Sequence, residues 1–242
     1  MAKENVLNLT SLKDQIYEYL RLQMKKGEIG PGSVINMDST CEKLGVSRTP
    51  LRDALIRLEM EGFVTILPRR GVVVNVLTVQ DIKDFYQIIG ALESTAIISA
   101  STTIKESHLN RMRKLNEGMK KALKEDDFDA FYAKNLKFHD VYLSLSGNKI
   151  LMKTVDVLKK RLYDFPRQEK WIKEWEEYST KEHQKLINFM TEGKFLEAAN
   201  FIRDVHWSFK VQEKYIRKYY PVNNEIEGYE DNKLLRAAMS KL

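Results

Sequence analysis

Four histidines occur in the chain, each in a stretch with the apolar periodicity of a helix, and three of them, His139, His183 and His206, are candidate metal ligands. His139 follows Asn135 by one helical turn, so both side chains lie on one helix face. His183 and His206 lie in two later helical stretches. Imidazole nitrogen is a common ligand for zinc, nickel and related ions, so histidines from three helices can converge on a metal. The alternative, and the commoner case in helical bundles, is a hydrogen-bonded polar histidine without a metal.

A second group of residues suited to chemistry lies in residues 46–62, which read VSRTPLRDALIRLEMEG. Ser47 suits an N-cap and Pro50 suits the first turn, which predicts that a helix begins here. Arg48 and Arg52 then lie four residues apart on one face. A guanidinium can bond guanine O6 and N7 together, so this face suits the major groove of DNA. A solvated basic face without a nucleic-acid partner is the alternative for these two arginines alone.

Two β-branched runs follow this helix and predict a small β-hairpin. The strands are expected at 63–66 and 72–74, joined by the loop 67–71. Arg69 and Arg70 lie in this loop, where they can approach a phosphate or the minor groove. Exposed loop arginines without a DNA contact are the alternative interpretation.

The stretch 30–75 resembles the winged helix-turn-helix of GntR-type transcription regulators. The resemblance is carried by Pro31-Gly32, the run 44–55, Arg57-Leu58, Glu61-Gly62 and Gly71. It implies a DNA-binding surface, which we predict to consist of Arg48, Thr49, Arg52, Arg57, Arg69, Arg70 and Gly71. The chain departs from the family pattern early in its second helix, where Asp38 and Ser39 replace a basic or polar contact. An acidic residue repels phosphate, so we do not expect this helix to contact bases.

Residues 80–220 resemble the helical ligand-binding domain, called FCD, of the FadR-like branch of this family. The matching residues are Phe138-His139, Leu145-Ser146-Gly147-Asn148, Leu151, Glu182-His183 and His206. Many such domains bind a divalent metal through an Asp-x-x-x-His pair and two further histidines. The resemblance therefore implies a metal site at Asn135, His139, His183 and His206, with zinc or nickel expected. Asn135 stands at the aspartate position, where its neutral amide is a weaker ligand.

The resemblance also implies how the protein works. We expect a homodimer that binds a pseudo-palindromic DNA operator, with an organic acid as effector bound against the metal. Arg161 and Tyr163 are the candidate effector-binding residues, and repression is the usual direction in the family. A metal-responsive regulator without an organic effector is one alternative. A metal-dependent enzyme is another, since an open metal position can activate water, but we find no carboxylate spaced as a general base. The chain is therefore not expected to be an enzyme.

Composition agrees with a two-domain globular protein. The chain has 242 residues, 43% of them hydrophobic and 31% charged, with a net charge of +6. This charge permits a polyanionic partner without requiring one. Residues 1–77 hold 11 Lys and Arg against 9 Asp and Glu, so a DNA footprint there must come from the placement of charge. The single cysteine, Cys41, excludes an internal disulfide and suits the cytoplasm. No signal peptide, membrane span or membrane partner is expected.

The elements that must position these residues follow from the apolar periodicity. The predicted fold is mainly α, with a winged helix-turn-helix that has a β-hairpin wing, followed by an all-α antiparallel bundle. The expected domains are 1–77 for DNA binding, 78–221 for effector binding and dimerisation, and a tail at 222–242 with a short amphipathic helix. The predicted helices are 9–26, 39–44, 46–62, 80–101, 105–125, 128–146, 148–165, 171–192 and 194–220.

Overall fold

The computed structural model describes residues 11–164 and 172–220. These residues form two compact units, the first containing 11–77 with 163–164 and the second containing 78–162 with 172–220. The predicted helix in the tail 222–242 lies outside the described residues, as do the predicted helix ends at 9–10, 165 and 171. Within the described part of the chain, no helix is both long and apolar enough to span a membrane.

The N-terminal unit contains three helices and a small antiparallel sheet. The helices are α1 Leu12–Lys25, α2 Met37–Leu44 and α3 Arg48–Met60, and the strands are β1 Val34–Ile35, β2 Val64–Leu67 and β3 Gly71–Val74. The strand order is β1-β3-β2, with Val34 opposite Val73 and Thr65 opposite Val73 on its other side. The hairpin is therefore confirmed. Strand β1 was not predicted, because two residues give no periodic signal.

Two details at the helix starts differ from the prediction. Helix α2 begins at Met37, two residues before the predicted start, because Asn36 caps it. Its Oδ1 accepts hydrogen bonds from the backbone N–H of Asp38 at 2.9 Å and of Ser39 at 3.1 Å. Ser47 does occupy the N-cap of α3, but its side chain makes no capping hydrogen bond.

The core of the N-terminal unit fixes how α3 is presented. Tyr17 and Leu20 of α1 pack with Leu51, Leu55 and Leu58 of α3, and all five side chains are almost fully buried. The apolar stripe of α3 thus faces α1 and the sheet. The residues on the opposite side of α3 therefore remain exposed.

The C-terminal unit is all helical. Its helices are α4 Val79–Ala100, α5 Glu106–Lys124, α6 Phe128–Leu145, α7 Lys149–Asp164, α8 Lys173–Thr191, α9 Phe195–Phe201 and α10 Phe209–Tyr219. Helix α4 begins with the expected capping box, in which the Asp81 N–H donates to Thr78 Oγ1 at 3.1 Å and the Thr78 N–H donates to Asp81 Oδ2 at 2.8 Å.

The final helix, predicted as continuous over 194–220, is interrupted, so that prediction was wrong. A π-helical turn at Ile202–His206 follows α9, and the Trp207 N–H bonds the Ile202 carbonyl at 2.9 Å. The wider turn packs against α4 at Gly90, where an added Cβ would lie 3.0 Å from Trp207 Cβ and 3.4 Å from Arg203 Cα. A glycine in mid-helix therefore allows the close approach of the turn that carries His206.

Candidate functional sites

The three predicted histidines converge in the helical unit. His139 lies on α6, His183 on α8 and His206 at the end of the π turn, and each offers a ring nitrogen within 4.8 Å of the other two. The ring centroids are 5.3 Å apart for His139 and His183, and 5.1 Å apart for His183 and His206. His139 and His183 are fully buried, and His206 is partly buried. We call these three side chains the histidine cluster.

Four buried polar atoms at or near the histidine cluster have no hydrogen-bond partner among the described residues. They are His139 Nε2, both ring nitrogens of His183, and Asn135 Oδ1. Buried polar atoms are almost always satisfied, so this concentration of unsatisfied polar atoms needs an explanation. Imidazole nitrogens and an amide oxygen are suitable ligands for zinc and related divalent ions. The donor set therefore fits a metal ion.

Two of the histidines are oriented by buried carboxylates. His139 Nδ1 lies 2.9 Å from Glu93 Oε2, and His206 Nδ1 lies 2.7 Å from Glu182 Oε2. A carboxylate accepts a hydrogen bond from the Nδ1–H group, which leaves the Nε2 lone pair available to a metal. His183 has no such partner, and its ring stacks on Phe138 with centroids 4.1 Å apart.

Burial also keeps His139 and His183 in the neutral form that binds metal. It lowers the pKa of His139 to about 4 and that of His183 well below its usual value. Burial alone would raise the pKa of Glu93, but the nearby His139 and Lys159 outweigh it, and that pKa lies well below its usual value. At neutral pH the two imidazoles are therefore neutral and the Glu93 carboxylate is ionised.

The prediction missed the residues around the histidine cluster. Glu93, Lys159 and Trp207 are buried beside it, and Glu182 faces His206, although its position next to His183 suggested that it points away. One signal was present in the sequence. Glu93 is a single carboxylate within the apolar run Ile88–Ile98 of a buried helix, and such a residue normally has a partner. The partners themselves, from α6, α7 and the π turn, have no sequence signature.

The two candidate effector residues, Arg161 and Tyr163, lie at the end of α7. The Arg161 guanidinium lies 4.9 Å from the centroid of the Phe85 ring, and burial lowers its pKa. Phe85 precedes Glu93 by eight residues, or about 12 Å along a helix. The contact of Arg161 on α4 is therefore about two turns from Glu93. Tyr163 is grouped with the N-terminal unit.

In the N-terminal unit, most of the predicted DNA-binding residues form an exposed set. Arg48, Thr49 and Arg52 are exposed at the start of α3, and Arg69 and Arg70 are exposed at the tip between β2 and β3. Gly71 has φ +105°, and a Cβ there would lie 3.2 Å from Val34 Cγ1, so the wing needs glycine at this position. Arg48 also pairs with Asp38, with Nε 3.0 Å from Oδ1.

Arg57 differs from the other arginines of α3. It stacks over the Tyr17 ring at 3.7 Å and pairs with Asp14 and Glu61, each at 3.2 Å. It follows Arg48 by nine residues, which is half a turn around the helix axis. Arg57 therefore lies beside α1 and on a different face from Arg48 and Arg52, with 43% of its side chain exposed.

The architecture defines a class of protein. A winged helix-turn-helix with exposed arginines at the start of its third helix is a DNA-binding domain. A helical unit with a buried histidine cluster accompanies it in the same chain. This combination is that of a two-domain transcription regulator.

Comparison with known families identifies the class. The family described as "Bacterial regulatory proteins, gntR family" matches residues 12–74, and the FCD domain matches residues 84–205. The chain belongs to the GntR family of transcription regulators and carries an FCD domain. Its DNA-binding function follows from this membership, and the family is one of regulators, not of enzymes.

Relatives of known description agree with this membership. The Nta operon transcriptional regulator of Aminobacter aminovorans is 30% identical over 179 residues, which cover 71% of this chain and 80% of that protein. The HTH-type transcriptional repressor RspR of Escherichia coli K12 is 27% identical over 160 residues, or 66% of this chain and 70% of the repressor.

Solved structures show the same fold. Escherichia coli McbR/YncC aligns with a TM-score of 0.63 at 20% identity, covering 86% of this chain and 97% of that one. A GntR regulator of Rhodococcus sp. RHA1 aligns with a TM-score of 0.63 at 18% identity, covering 80% and 93%. At these identities the likeness concerns the fold alone.

Proposed function

We propose that this regulator controls its operator binding through an organic acid that lies against a divalent metal in the helical domain. The observation that carries the proposal is the convergence of three histidines, among which His139 Nε2 and both ring nitrogens of His183 have no hydrogen-bond partner in the described part of the chain; Asn135 Oδ1 has none there either. The metal would be zinc or nickel, both of which accept imidazole ligands. When bound, it would supply a positive centre that attracts a carboxylate.

The charges around the histidine cluster support an anionic effector. The three histidines and Asn135 are neutral ligands. Glu93 and Glu182 add two negative charges outside the ligand set, and Lys159 adds one positive charge. With a divalent ion, the site would retain a net charge of about +1, so an anion would complete its neutralisation. The acid would lie at the histidine cluster, and Arg161 and Tyr163 remain predicted effector-binding residues.

The DNA-binding half of the proposal uses the exposed face of α3. Arg48, Thr49 and Arg52 would enter the major groove, while Arg69, Arg70 and Gly71 of the wing lie near the backbone or minor groove. One recognition helix contacts only a few base pairs, so we infer a homodimer on a pseudo-palindromic operator. Residues 1–77 form the DNA-binding domain, residues 78–221 the effector-binding and dimerisation domain, and residues 222–242 the tail. The protein would act in the cytoplasm, as a repressor like the relatives that bear this name.

One observation favours a second candidate function. Three imidazoles and the Asn135 amide oxygen make four ligands, and four protein ligands close a tetrahedral zinc site. A closed site leaves no position for an acid. The protein would then be a metal-responsive regulator without an organic effector.

Calorimetry with the full-length protein separates these functions. Metal-stripped protein is titrated first with zinc or nickel and then with a panel of mono- and dicarboxylic acids. The effector proposal predicts metal binding at one ion per chain and acid binding only by the metal-loaded protein. Metal binding without any acid binding would favour the closed site, and acid binding by metal-stripped protein would contradict the proposed role of the metal.

A further inference from the structure

Glu93 contacts four side chains beside the histidine cluster. Its side chain is fully buried in α4, and its Oε2 lies 2.9 Å from His139 Nδ1 and 2.9 Å from Trp207 Nε1. The Tyr142 hydroxyl donates to the same oxygen, and Lys159 Nζ lies 2.5 Å from Oε1. These partners come from α6, α7 and the residue that follows the π turn.

This arrangement determines which nitrogen of His139 carries the proton. An ionised carboxylate only accepts hydrogen bonds, so the Nδ1 that faces Glu93 must be the protonated nitrogen. Nε2 then keeps its lone pair, and Nε2 is the ring nitrogen without a partner among the described residues. Glu93 therefore holds His139 in the tautomer whose Nε2 can bind a metal in the histidine cluster.

Lys159 makes a buried carboxylate possible at this position. The Lys159 side chain is 5% exposed and that of Glu93 is 0% exposed, so both charges are removed from water. A single buried charge is costly, whereas a paired one is tolerated. The other oriented histidine differs, because Glu182 has Gln212 as a neutral donor at 3.2 Å.

We propose that the Lys159–Glu93 ion pair is a positioning device of the metal site, which sets metal affinity by holding His139 with Nε2 toward the ion. The inference rests on the metal site proposed above. The indole N–H of Trp207 donates to the same Glu93 oxygen that contacts His139. Metal binding at His139 should therefore alter the environment of Trp207.

The test uses full-length variants that remove charge while preserving shape. Because removal of one partner leaves an unpaired buried charge, the main variant is the double substitution Glu93→Gln with Lys159→Met. Its matched control is Asp156→Asn with Lys160→Met, which removes a partly exposed i,i+4 ion pair from α7, the helix of Lys159. Glu93→Gln alone is the second variant, and circular dichroism establishes that each variant is folded.

The readouts are zinc affinity, measured by competition with a chromophoric chelator, and tryptophan emission. We expect the Glu93→Gln/Lys159→Met protein to bind zinc roughly 10–100-fold more weakly, as is typical for loss of an outer-shell partner. The control pair should bind like the parent. In a background with Trp171→Phe and Trp175→Phe, zinc should change the Trp207 emission of the parent, and this change should be lost with Glu93→Gln.

Two results would overturn the inference, and they are distinguishable. If the folded Glu93 variants bind zinc with parental affinity and differ only in melting temperature, the ion pair has a structural role alone. If the parent itself binds no metal, the proposed metal site fails and the inference fails with it.

Discussion

The two candidate sites of this protein are built in opposite ways. On α3, Arg48 and Arg52 are exposed, and each would contact DNA through its own side chain. In the helical unit, His139 and Glu93 are buried and bonded to each other. Exposed groups contribute separately, whereas buried groups in one network are coupled. A substitution in the buried site of the helical unit should therefore have a larger effect than a substitution on α3. The first should change metal affinity, and the second should change operator affinity.

The largest effect is expected from His183→Ala. Within residues 11–164 and 172–220, neither ring nitrogen of His183 has a hydrogen-bond partner, so both could ligate a metal, and loss of His183 removes one of three imidazoles. We expect metal affinity to fall by more than the roughly 10–100-fold typical of outer-shell residues, as measured by chelator competition. His108→Ala is the control, because His108 lies outside the cluster and accepts from the Lys105 N–H. Equal zinc affinity in both variants would remove His183 from the site.

Asn135→Asp adds one negative charge within the buried site and leaves α3 unchanged. A carboxylate at this position should hold a divalent ion more tightly. By lowering the net charge, it should also weaken binding of an anionic acid, by on the order of 1–4 kcal/mol for one unit charge a few ångströms away. Calorimetry on metal-loaded parent and variant measures both changes. Tighter acid binding by the aspartate variant would contradict the proposed attraction between metal and acid.

Substitutions of the exposed arginines should leave the helical unit intact. Arg48→Ala and Arg52→Ala should each weaken operator binding by about 1–3 kcal/mol, with zinc affinity unchanged. Arg57→Ala is the matched comparison from the same helix. Because Arg57 contacts Tyr17, Asp14 and Glu61, its loss should lower the free energy of unfolding. Parental operator affinity in both the Arg48 and Arg52 variants would show that α3 is not the recognition helix.

The smallest effect is expected from Asp38→Asn. Asp38 pairs with Arg48 while both side chains are about 70% exposed, and such pairs contribute at most about 1 kcal/mol. Removal of this charge frees Arg48 and reduces repulsion of phosphate. Operator binding, followed by fluorescence anisotropy, should strengthen by less than about 1 kcal/mol. Weaker binding would mean that Asp38 orients Arg48 for its DNA contact.

The same contrast explains what the sequence could predict. The sequence predicted the exposed and periodic features, including the winged helix-turn-helix, the hairpin and the capping box at Thr78. The positions of the three histidines on helices were also accessible, because helical spacing is local. Arg57 stays a predicted DNA-binding residue, although it lies half a turn from Arg48 and pairs with Asp14 and Glu61.

The features that the sequence did not reveal depend on contacts between distant segments. Strand β1 is defined only by its pairing with β3. The π turn before Trp207 accompanies packing against Gly90, more than one hundred residues earlier in the chain. Glu93 and Lys159 meet only in the folded helical unit. No local pattern encodes these pairs, so structure was required to find them.

If the buried histidine cluster controls the exposed face of α3, metal and acid must change operator binding. An operator is selected from a random duplex pool, and its dissociation constant is measured for metal-stripped protein, metal-loaded protein, and metal-loaded protein with the acid that binds in calorimetry. For the parent we predict that metal and acid together change the constant by roughly 5–150-fold, the usual range of coupling between two sites. His183→Ala should bind the operator but show no change. The same dissociation constant for the parent in all three states would contradict the account.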